Sequence, residues 1–411
     1  MSFRPFGVIE GFYGDPWTQE ERLACIDALA ATGANSYVWA PKSEPRHRDA
    51  WRDDFTPGEV ANFAELVNRN GNVTVSVGLT PGNDAGIDDV VAKMQPVVDA
   101  GCSVITLCFD DLPVLDAAGR HRTIANGVRE RMGVSVWLVP THYAGVDGSP
   151  YLDALFDGLH DDVLVMWTGR HVVNDSITHE EVTERTRVCS GRAPLVWDNA
   201  PVNDAMMTSH LHLGPYIGRD GRVAGAIAGV LLNPMISMAA SRPMIESAAA
   251  WWRGDDPHAA WEGAVDRAGL GVLAGATSYP GDPHWPGDRP SREWLQSVRE
   301  LTDTNDADID PWIDSARTGA GIALAAMDLM DAIRGGKRDS ALTPLSLPLL
   351  GLRDWLRRDA RTLGAGPRTR PLFTQDASGR FAVTSGAIAL SRSIPETLVA
   401  DALAALAALE R

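Results

Sequence analysis

Cysteine is scarce in this 411-residue chain, which has four in all. Cys25, Cys102, Cys108 and Cys189 stand far apart, each within or beside an apolar run. Their spacings match neither a metal-binding pattern nor a disulfide framework, so they read as reduced core thiols. Long apolar runs are also missing: none approaches the roughly 18 residues that a membrane-spanning helix needs, and no membrane association is expected. The start, Met1-Ser2-Phe3-Arg4-Pro5-Phe6, lacks the charged segment and apolar stretch of a secretory signal, and a cytoplasmic location is expected. Positive charge is in deficit, with 37 Lys and Arg against 54 Asp and Glu and a formal net charge of −17. Without a basic run to displace counterions from phosphate, nucleic acid is excluded as a partner. The same repulsion weighs against polyanionic polysaccharides as substrates. Histidine offers no metal site. His210-Leu211-His212 has the ligand spacing of some barrel hydrolases, but it follows the seventh apolar run by several residues and finds no histidine at most other run ends. No metal and no cofactor are expected.

What the chain does have is a period. Short β-rich apolar runs occur at Gly7–Ile9, Asn35–Ala40, Val73–Leu79, Ser103–Phe109, Val134–Val139, Val163–Trp167, Pro194–Trp197 and Ala226–Leu232. They number about eight and recur roughly every 30 residues, the βα period of a (β/α)8 barrel. Helix starts separate them. Thr18 with Glu21 and Thr178 with Glu181 have capping-box spacing, as does Thr56-Pro57-Gly58-Glu59 with proline at the first helical position. Ser149-Pro150 opens another helix. The stripe Val60, Phe63, Leu66 and Val67 lies on one face of the second. Strands followed by capped helices imply parallel pairing and right-handed crossovers. The rival, an open doubly wound sheet, would place a glycine-rich phosphate turn after the first strand, and Gly11-Phe12-Tyr13-Gly14 is not that fingerprint.

After Trp252 the texture changes to the turn-rich Gly281–Asp288 and to alanine- and leucine-rich helical patterns at Ile322–Ile333, Leu349–Leu363 and Glu396–Glu410. The reading is therefore an α/β chain, a TIM-type (β/α)8 catalytic barrel over residues 1–255, followed by a smaller all-helical domain over 256–411. The apolar faces of that domain would pack on the barrel or form a homodimer.

A barrel of this kind places its active site where strands end. Those ends carry Glu10-Gly11, Pro41-Lys42, Asp110-Asp111, His142-Tyr143, Thr168-Gly169, Trp197-Asp198-Asn199 and Asn233-Pro234. Aromatic rings, amides, carboxylates and one lysine are what a sugar requires, ring faces for its C–H surfaces and directional partners for its hydroxyls. Asp110-Asp111 stands out. Two adjacent carboxylates in a cleft do not both ionise cheaply, which supplies an acid for a leaving oxygen and a base for another task. The bland reading of the pair is a helix N-cap. A conventional retaining glycosidase sets its two carboxyls about 5 Å apart, usually on different strands. Adjacency suits instead the substrate-assisted variant, in which a 2-acetamido oxygen is the nucleophile. Glu10 faces either the interior or the mouth of the barrel. Trp167 and Trp197 can serve either core or site.

The motifs resemble those of a known family. Gly7-Val8-Ile9-Glu10-Gly11-Phe12-Tyr13-Gly14-Asp15-Pro16-Trp17 resembles the opening block of family 84 glycoside hydrolases, which include protein O-GlcNAcases and bacterial β-N-acetylglucosaminidases. Tyr37-Val38-Trp39-Ala40-Pro41-Lys42, His47-Arg48 and Trp51-Arg52 resemble its second block, and Phe109-Asp110-Asp111 its catalytic pair. Pro140-Thr141-His142-Tyr143, Trp197-Asp198-Asn199, Asn203-Asp204, Leu213-Gly214-Pro215-Tyr216 and Asn233-Pro234 follow in family order, and the resemblance runs from Phe6 to about Trp252. It implies that Asp110 orients the acetamide and that Asp111 is the general acid/base. It further implies that Tyr143 and Asn199 touch the acetamide, that Trp197 walls its methyl pocket, and that Lys42, Asp204, Asn233 and the Gly11 backbone contact the outer hydroxyls. His142 stands where the family suggests glutamate and Trp39 where a second tyrosine is common, substitutions expected to alter the rim. The implied activity is a retaining exo-β-N-acetylglucosaminidase acting on glycoconjugates that carry N-acetylglucosamine, with an oxazoline intermediate. A hyaluronidase-like endo-β-N-acetylhexosaminidase and a non-catalytic N-acetylglucosamine-binding protein are the alternatives; the binding protein would not need both Asp110 and Asp111.

Overall fold

The eight apolar runs form eight parallel strands that close on themselves in chain order. In the computed structural model these are β1 (Phe6–Glu10), β2 (Ser36–Trp39), β3 (Thr74–Leu79), β4 (Val104–Cys108), β5 (Ser135–Val139), β6 (Leu164–Trp167), β7 (Leu195–Asp198) and β8 (Gly229–Leu232). The structure describes residues 3–112, 117–277, 291–336, 338–358, 361, 373–383 and 394–409. Closure is made by β8 pairing with β1, Phe6 opposite Val230 and Val8 opposite Leu232. The eighth strand starts later than its apolar run suggests, because Ala226 belongs to a short helical turn.

Between and around the strands lie α1 (Gln19–Thr32), α2 (Pro57–Arg69), α3 (Ile87–Asp99), α4 (Ala118–Met132), α5 (Pro150–Phe156), α6 (His179–Val188), α7 (Val223–Ala226) and α8 (Met238–Arg253). Their starts follow the capping chemistry. Thr18, Thr56 and Thr178 each accept the backbone N–H three residues on, while Glu21, Glu59 and Glu181 reach back. The Ser149 hydroxyl accepts from Leu152.

Strand alternation sorts side chains into two cores. Ile9, Val38, Ala40, Cys108, Trp137, Val139, Leu195, Trp197 and Leu231 fill the barrel interior. Val8, Tyr37, Leu107, Leu138, Val196 and Leu232 point the other way, into the layer shared with Leu29, Phe63 and Leu66 of the helices. Trp167, fully buried, belongs to this outer layer and donates to the Gly145 carbonyl at 2.8 Å, so it is core rather than site.

Helices α9 (Pro257–Arg267), α10 (Gly271–Ala276), α11 (Arg292–Arg299), α12 (Asp310–Arg334), α13 (Arg338–Arg357) and α14 (Ile394–Leu409) follow. The long α12 packs against α11, α13 and α14. Its buried face recurs at helical spacing through Trp312, Ala316, Ala320, Ala323 and Leu324. Leu211, Leu213, Met235 and Ala240 join the same core from the barrel side, so these helices pack on the barrel. Helix patterns Ile322–Ile333, Leu349–Leu363 and Glu396–Glu410 fall on α12, α13 and α14, although Leu363 and Glu410 lie outside the described residues. So does the turn-rich Gly281–Asp288. The helical region also contains an antiparallel pair that its sequence pattern did not suggest, β9 (Phe373–Gln375) with β10 (Phe381–Val383).

Two strand-end carboxylates belong to the outward series. Glu10, fully buried, accepts from both Nε and Nη2 of Arg22 at 2.9 Å, from the Trp17 N–H at 3.0 Å and from the Tyr37 hydroxyl. Burial raises its pKa despite these partners. Asp198, also fully buried, is held by Arg219 at 2.5 and 2.8 Å and by the Tyr216 hydroxyl at 2.6 Å. Both carboxylates therefore tie the barrel to its surrounding layer. Arg219→Met leaves the Asp198 carboxylate buried without its cation and should cost about 3–5 kcal/mol of stability in a urea titration. Arg69→Met, at the exposed Asp27 pair, should shift the midpoint far less.

Candidate active site

The inward series converges on one cavity of about 300 Å³ at the strand ends, and all nine residues singled out in the sequence line it. Five interior residues are followed two positions later by a site residue: Ile9 by Gly11, Ala40 by Lys42, Cys108 by Asp110, Leu195 by Trp197 and then Asn199, Leu231 by Asn233. Tyr143 comes from the turn after β5 and Asp204 from the loop after β7.

Asp110 and Asp111 would face opposite sides if β4 simply continued. Asp111 instead adopts a left-handed backbone, φ 55°, which aspartate tolerates better than most residues. Both side chains thus reach the cavity. Asp110 is 5% exposed, and one of its oxygens, Oδ2, is bonded to the Lys42 ammonium. The other, Oδ1, is buried and has no hydrogen-bond partner among the described residues. Burial is the largest single influence and opposes the charge on Lys42, but Asp110, Cys108, Asp111 and Tyr13 together outweigh it and hold the lysine pKa above its ordinary value. Lys42 also lies 5.2 Å from the centre of the Trp197 ring.

Asp111 is held differently. Its Oδ1 accepts from the Tyr143 hydroxyl at 2.9 Å and its Oδ2 from the Tyr13 hydroxyl at 3.0 Å. Arg48 supports the second contact, donating to the Tyr13 oxygen at 3.1 Å. Burial first, and then Asp111, push both phenol pKa values up, so both stay hydrogen-bond donors. One carboxylate is thereby paired with a cation and the other with two phenols.

A chain of amide contacts builds the opposite side. Trp197 Nε1 donates to Asn199 Oδ1 at 2.9 Å, and Asn233 Nδ2 donates to the same oxygen at 2.8 Å. Asn233 Oδ1 accepts the Gly11 N–H at 3.2 Å. Asp204 Oδ2 accepts the Tyr13 N–H at 2.7 Å, and burial raises its pKa. Its neighbour Asn203 is an anchor, bridging the His210 carbonyl and the Ile236 N–H at 3.0 Å each. Val172, Val202 and Met207 add apolar surface.

Two expectations change. His142 and Trp39 do not form the rim, because neither lines the cavity. Trp39 points outward with the odd-numbered residues of β2 and packs edge-on against Phe55 and Phe63. His142, 4% exposed, stacks on Tyr151 and contacts Ser149 at 2.8 Å, with burial lowering its pKa to about 4. His210 and His212 form no group of three or more metal-ligating residues, and none exists among the described residues. Among the same residues, no helix is long and apolar enough to cross a membrane. Sequence reasoning also missed members of the site. Tyr13 and Arg48 stood in the quoted motifs but were given no role; their spacing to Asp111 appears only on folding. Phe373, which lines the cavity from β9, carried no signal at all.

Comparison with known proteins yields consistent relatives. A family model described as beta-N-acetylglucosaminidase matches residues 6–270. The protein O-GlcNAcases of Rattus norvegicus and Mus musculus are each 30% identical over 273 residues, covering 60% of this chain. The match spans 30% of the length of those curated relatives. A mutant of the O-GlcNAc hydrolase of Thermobaculum terrenum superposes with a TM-score of 0.78 at 21% identity, over 99% of this chain and 96% of that one. CpGH84B gives 0.77 at 21% identity, over 88% and 75%. At such identity the two structures share the fold.

The closest approach in the site sets a test of its packing. A Cβ on Gly11 would lie 2.2 Å from the Trp197 ring. Gly11→Ala should therefore displace that ring and cost about 1–3 kcal/mol as overpacking. Chemical denaturation checks the cost, and an unchanged midpoint with unchanged tryptophan emission would contradict it.

Proposed function

This chain belongs to the β-N-acetylglucosaminidase family, family 84 of the glycoside hydrolases, and we propose that it removes terminal β-linked N-acetylglucosamine with retention, using the substrate's acetamide as nucleophile. The observation that carries the reading is the contrast within one carboxylate pair. Asp110 offers a buried, unpartnered oxygen to the cavity beside an Asp111 held by two phenols.

An acetamide N–H is the partner that Asp110 Oδ1 lacks. With that hydrogen bond made, the acetamide oxygen is directed at the anomeric carbon. As it attacks, the C–O bond to the leaving group breaks and Asp111 gives its proton to the departing oxygen. The five-membered ring that forms keeps its N–H as an oxazolinium ion, the protonated oxazoline, with positive charge spread over N, C and O, which the Asp110 carboxylate stabilises in a water-poor setting. Asp111, now ionised, takes a proton from water as that water attacks the anomeric carbon, and the acetamide is restored. Two inversions return the β configuration.

Other contacts fit the same pose. Trp197 provides an apolar wall for the acetyl methyl, with Tyr143 and Asn199 beside it. Lys42, Asp204, Asn233 and the Gly11 backbone supply polar partners for hydroxyls, where loss of a hydroxyl leaves buried groups unpaired. A cavity of about 300 Å³ is at the small end for ligand sites. That size favours one terminal sugar over a polymer threaded through a groove. A protein carboxylate as nucleophile is disfavoured because Asp110 already bonds Lys42 and adjoins Asp111 instead of facing it across the ring.

Asp111→Asn should slow substrates with poor leaving groups by about 10²–10⁴-fold, the usual worth of general acid catalysis, and activated aryl glycosides much less. Steady-state rates on the two substrate types check this, and equal losses would remove Asp111 as the acid. Fluorination of the acetyl group tests the nucleophile. Rates on mono-, di- and trifluoroacetyl substrates should fall steeply in that order, and Asp110→Asn should slow even activated substrates. A flat response, or a glycosyl-aspartate trapped on the protein, would mean that a carboxylate attacks instead.

A further inference from the structure

Every site residue named from the sequence precedes residue 234, yet the segment Phe373–Val383 reaches the same cavity. Phe373 lines it, and the Phe373 carbonyl accepts the Val172 N–H at 2.8 Å. Thr374 Oγ1 donates to the Arg170 carbonyl at 2.9 Å. Gln375 is the strongest tie. Its buried side chain accepts the Ala144 N–H at 2.9 Å through Oε1 and donates to the Thr141 carbonyl at 2.8 Å through Nε2. Those two backbone groups bracket His142 and Tyr143, so one amide staples the turn that presents Tyr143 to Asp111. Gly379 closes the hairpin over His142; its φ of +76° and a would-be Cβ 2.2 Å from the imidazole Nε2 leave room for glycine alone.

Phe381, on β10, is the exposed aromatic of this segment. Its ring centre lies 6.1 Å from Tyr143 and 6.4 Å from Phe373, both cavity residues, and the side chain is 50% exposed. Tyr13 is the other exposed aromatic in this constellation, at 43%. Tyr13 holds one oxygen of Asp111 and Tyr143 the other, so Tyr13 touches the carboxylate directly, while Phe381 lies outside the cavity lining and adjoins the site through the Tyr143 ring. A singly exposed ring is ordinary on a protein surface; what distinguishes Phe381 is its place against two rings that line the cavity, where its free face is open to a group leaving the site.

We propose that Phe373–Val383 form the leaving-group wall of the site: Gln375 positions Tyr143, and Phe381 is the platform for an aglycone that presents a ring face. This rests on the preceding reading in one respect, that Asp111 marks the departing oxygen. Pyranose and aryl rings share the required chemistry, a flat C–H or π surface stacked on an aromatic side chain. A serine aglycone has no such face and gains nothing from Phe381.

The full chain is assayed on four substrates: the β-fluoride of N-acetylglucosamine, chitobiose, its phenyl β-glycoside and its serine glycoside. For Phe381→Ala, the kcat/KM ratios of chitobiose and of the phenyl glycoside to the fluoride should each fall about fivefold, as lost ring stacking predicts. The serine-to-fluoride ratio should hold steady. Gln375→Leu should lower kcat on chitobiose more than on the fluoride, whose departure needs little proton donation from Asp111. Gln375→Glu keeps the acceptor for the Ala144 N–H and should recover part of that loss. Ratios that do not move, or equal losses on all four substrates in chains that still fold by circular dichroism, would overturn the leaving-group wall. A wild-type chain inactive on every substrate would instead overturn the reading of the site itself.

Discussion

Closing eight parallel strands into a barrel divides every strand into an inward and an outward series of side chains, and the site inherits that division. The inward series is mostly apolar through the barrel, with Ser36 and the mutually hydrogen-bonded Ser76 and Thr106 as exceptions, and one step beyond it supplies the cavity with Gly11, Lys42, Asp110, Trp197, Asn199 and Asn233. The outward series ends against helices and loops, where an unpaired carboxylate would be costly. Glu10 and Asp198 end there, and each is matched by an arginine from the surrounding layer. Four carboxylates stand at the ends of three strands, and this sorting turns Glu10 and Asp198 away from the cavity.

The two that remain owe their juxtaposition to a break in the rule. Regular strand geometry would turn Asp111 away from Asp110. A left-handed backbone at Asp111 brings both into the cavity, and their surroundings then make them unlike. Asp110 meets a cation on one oxygen and, among the described residues, no hydrogen-bond partner on the other; Asp111 meets a phenol on each. Two identical side chains thus stand in different environments, the condition under which a pair of carboxylates can divide acid and base work, as proposed above.

The helical region beyond the barrel is tied to the site by hydrogen bonds, not only by apolar packing. Gln375 spans the turn at Tyr143, while Leu211, Leu213 and Met235 pass from the barrel into the core around α12. The turn that holds Asp111 is thus supported from a part of the chain more than 200 residues away in sequence.

What the sequence determined by itself was local and periodic. Apolar runs every 30 or so residues and threonine–glutamate capping pairs are short-range signals, and they specified strands, helices and parallel order. Family-like motifs marked nine of the residues that line the cavity, and in principle the same period of two separates inward Asn199 from outward Asp198 and Glu10. Tertiary structure alone decided the rest, because each remaining feature joins residues that sequence spacing does not relate. Arg48 supports Tyr13 across 35 positions and Gln375 staples Tyr143 across more than 200. Trp39 and His142, conspicuous in their motifs, are drawn into core contacts because their strand positions or turn geometry direct them away from the cavity. No local pattern announces such pairings, since a contact between distant segments is fixed only when the whole barrel closes and the chain beyond it packs down.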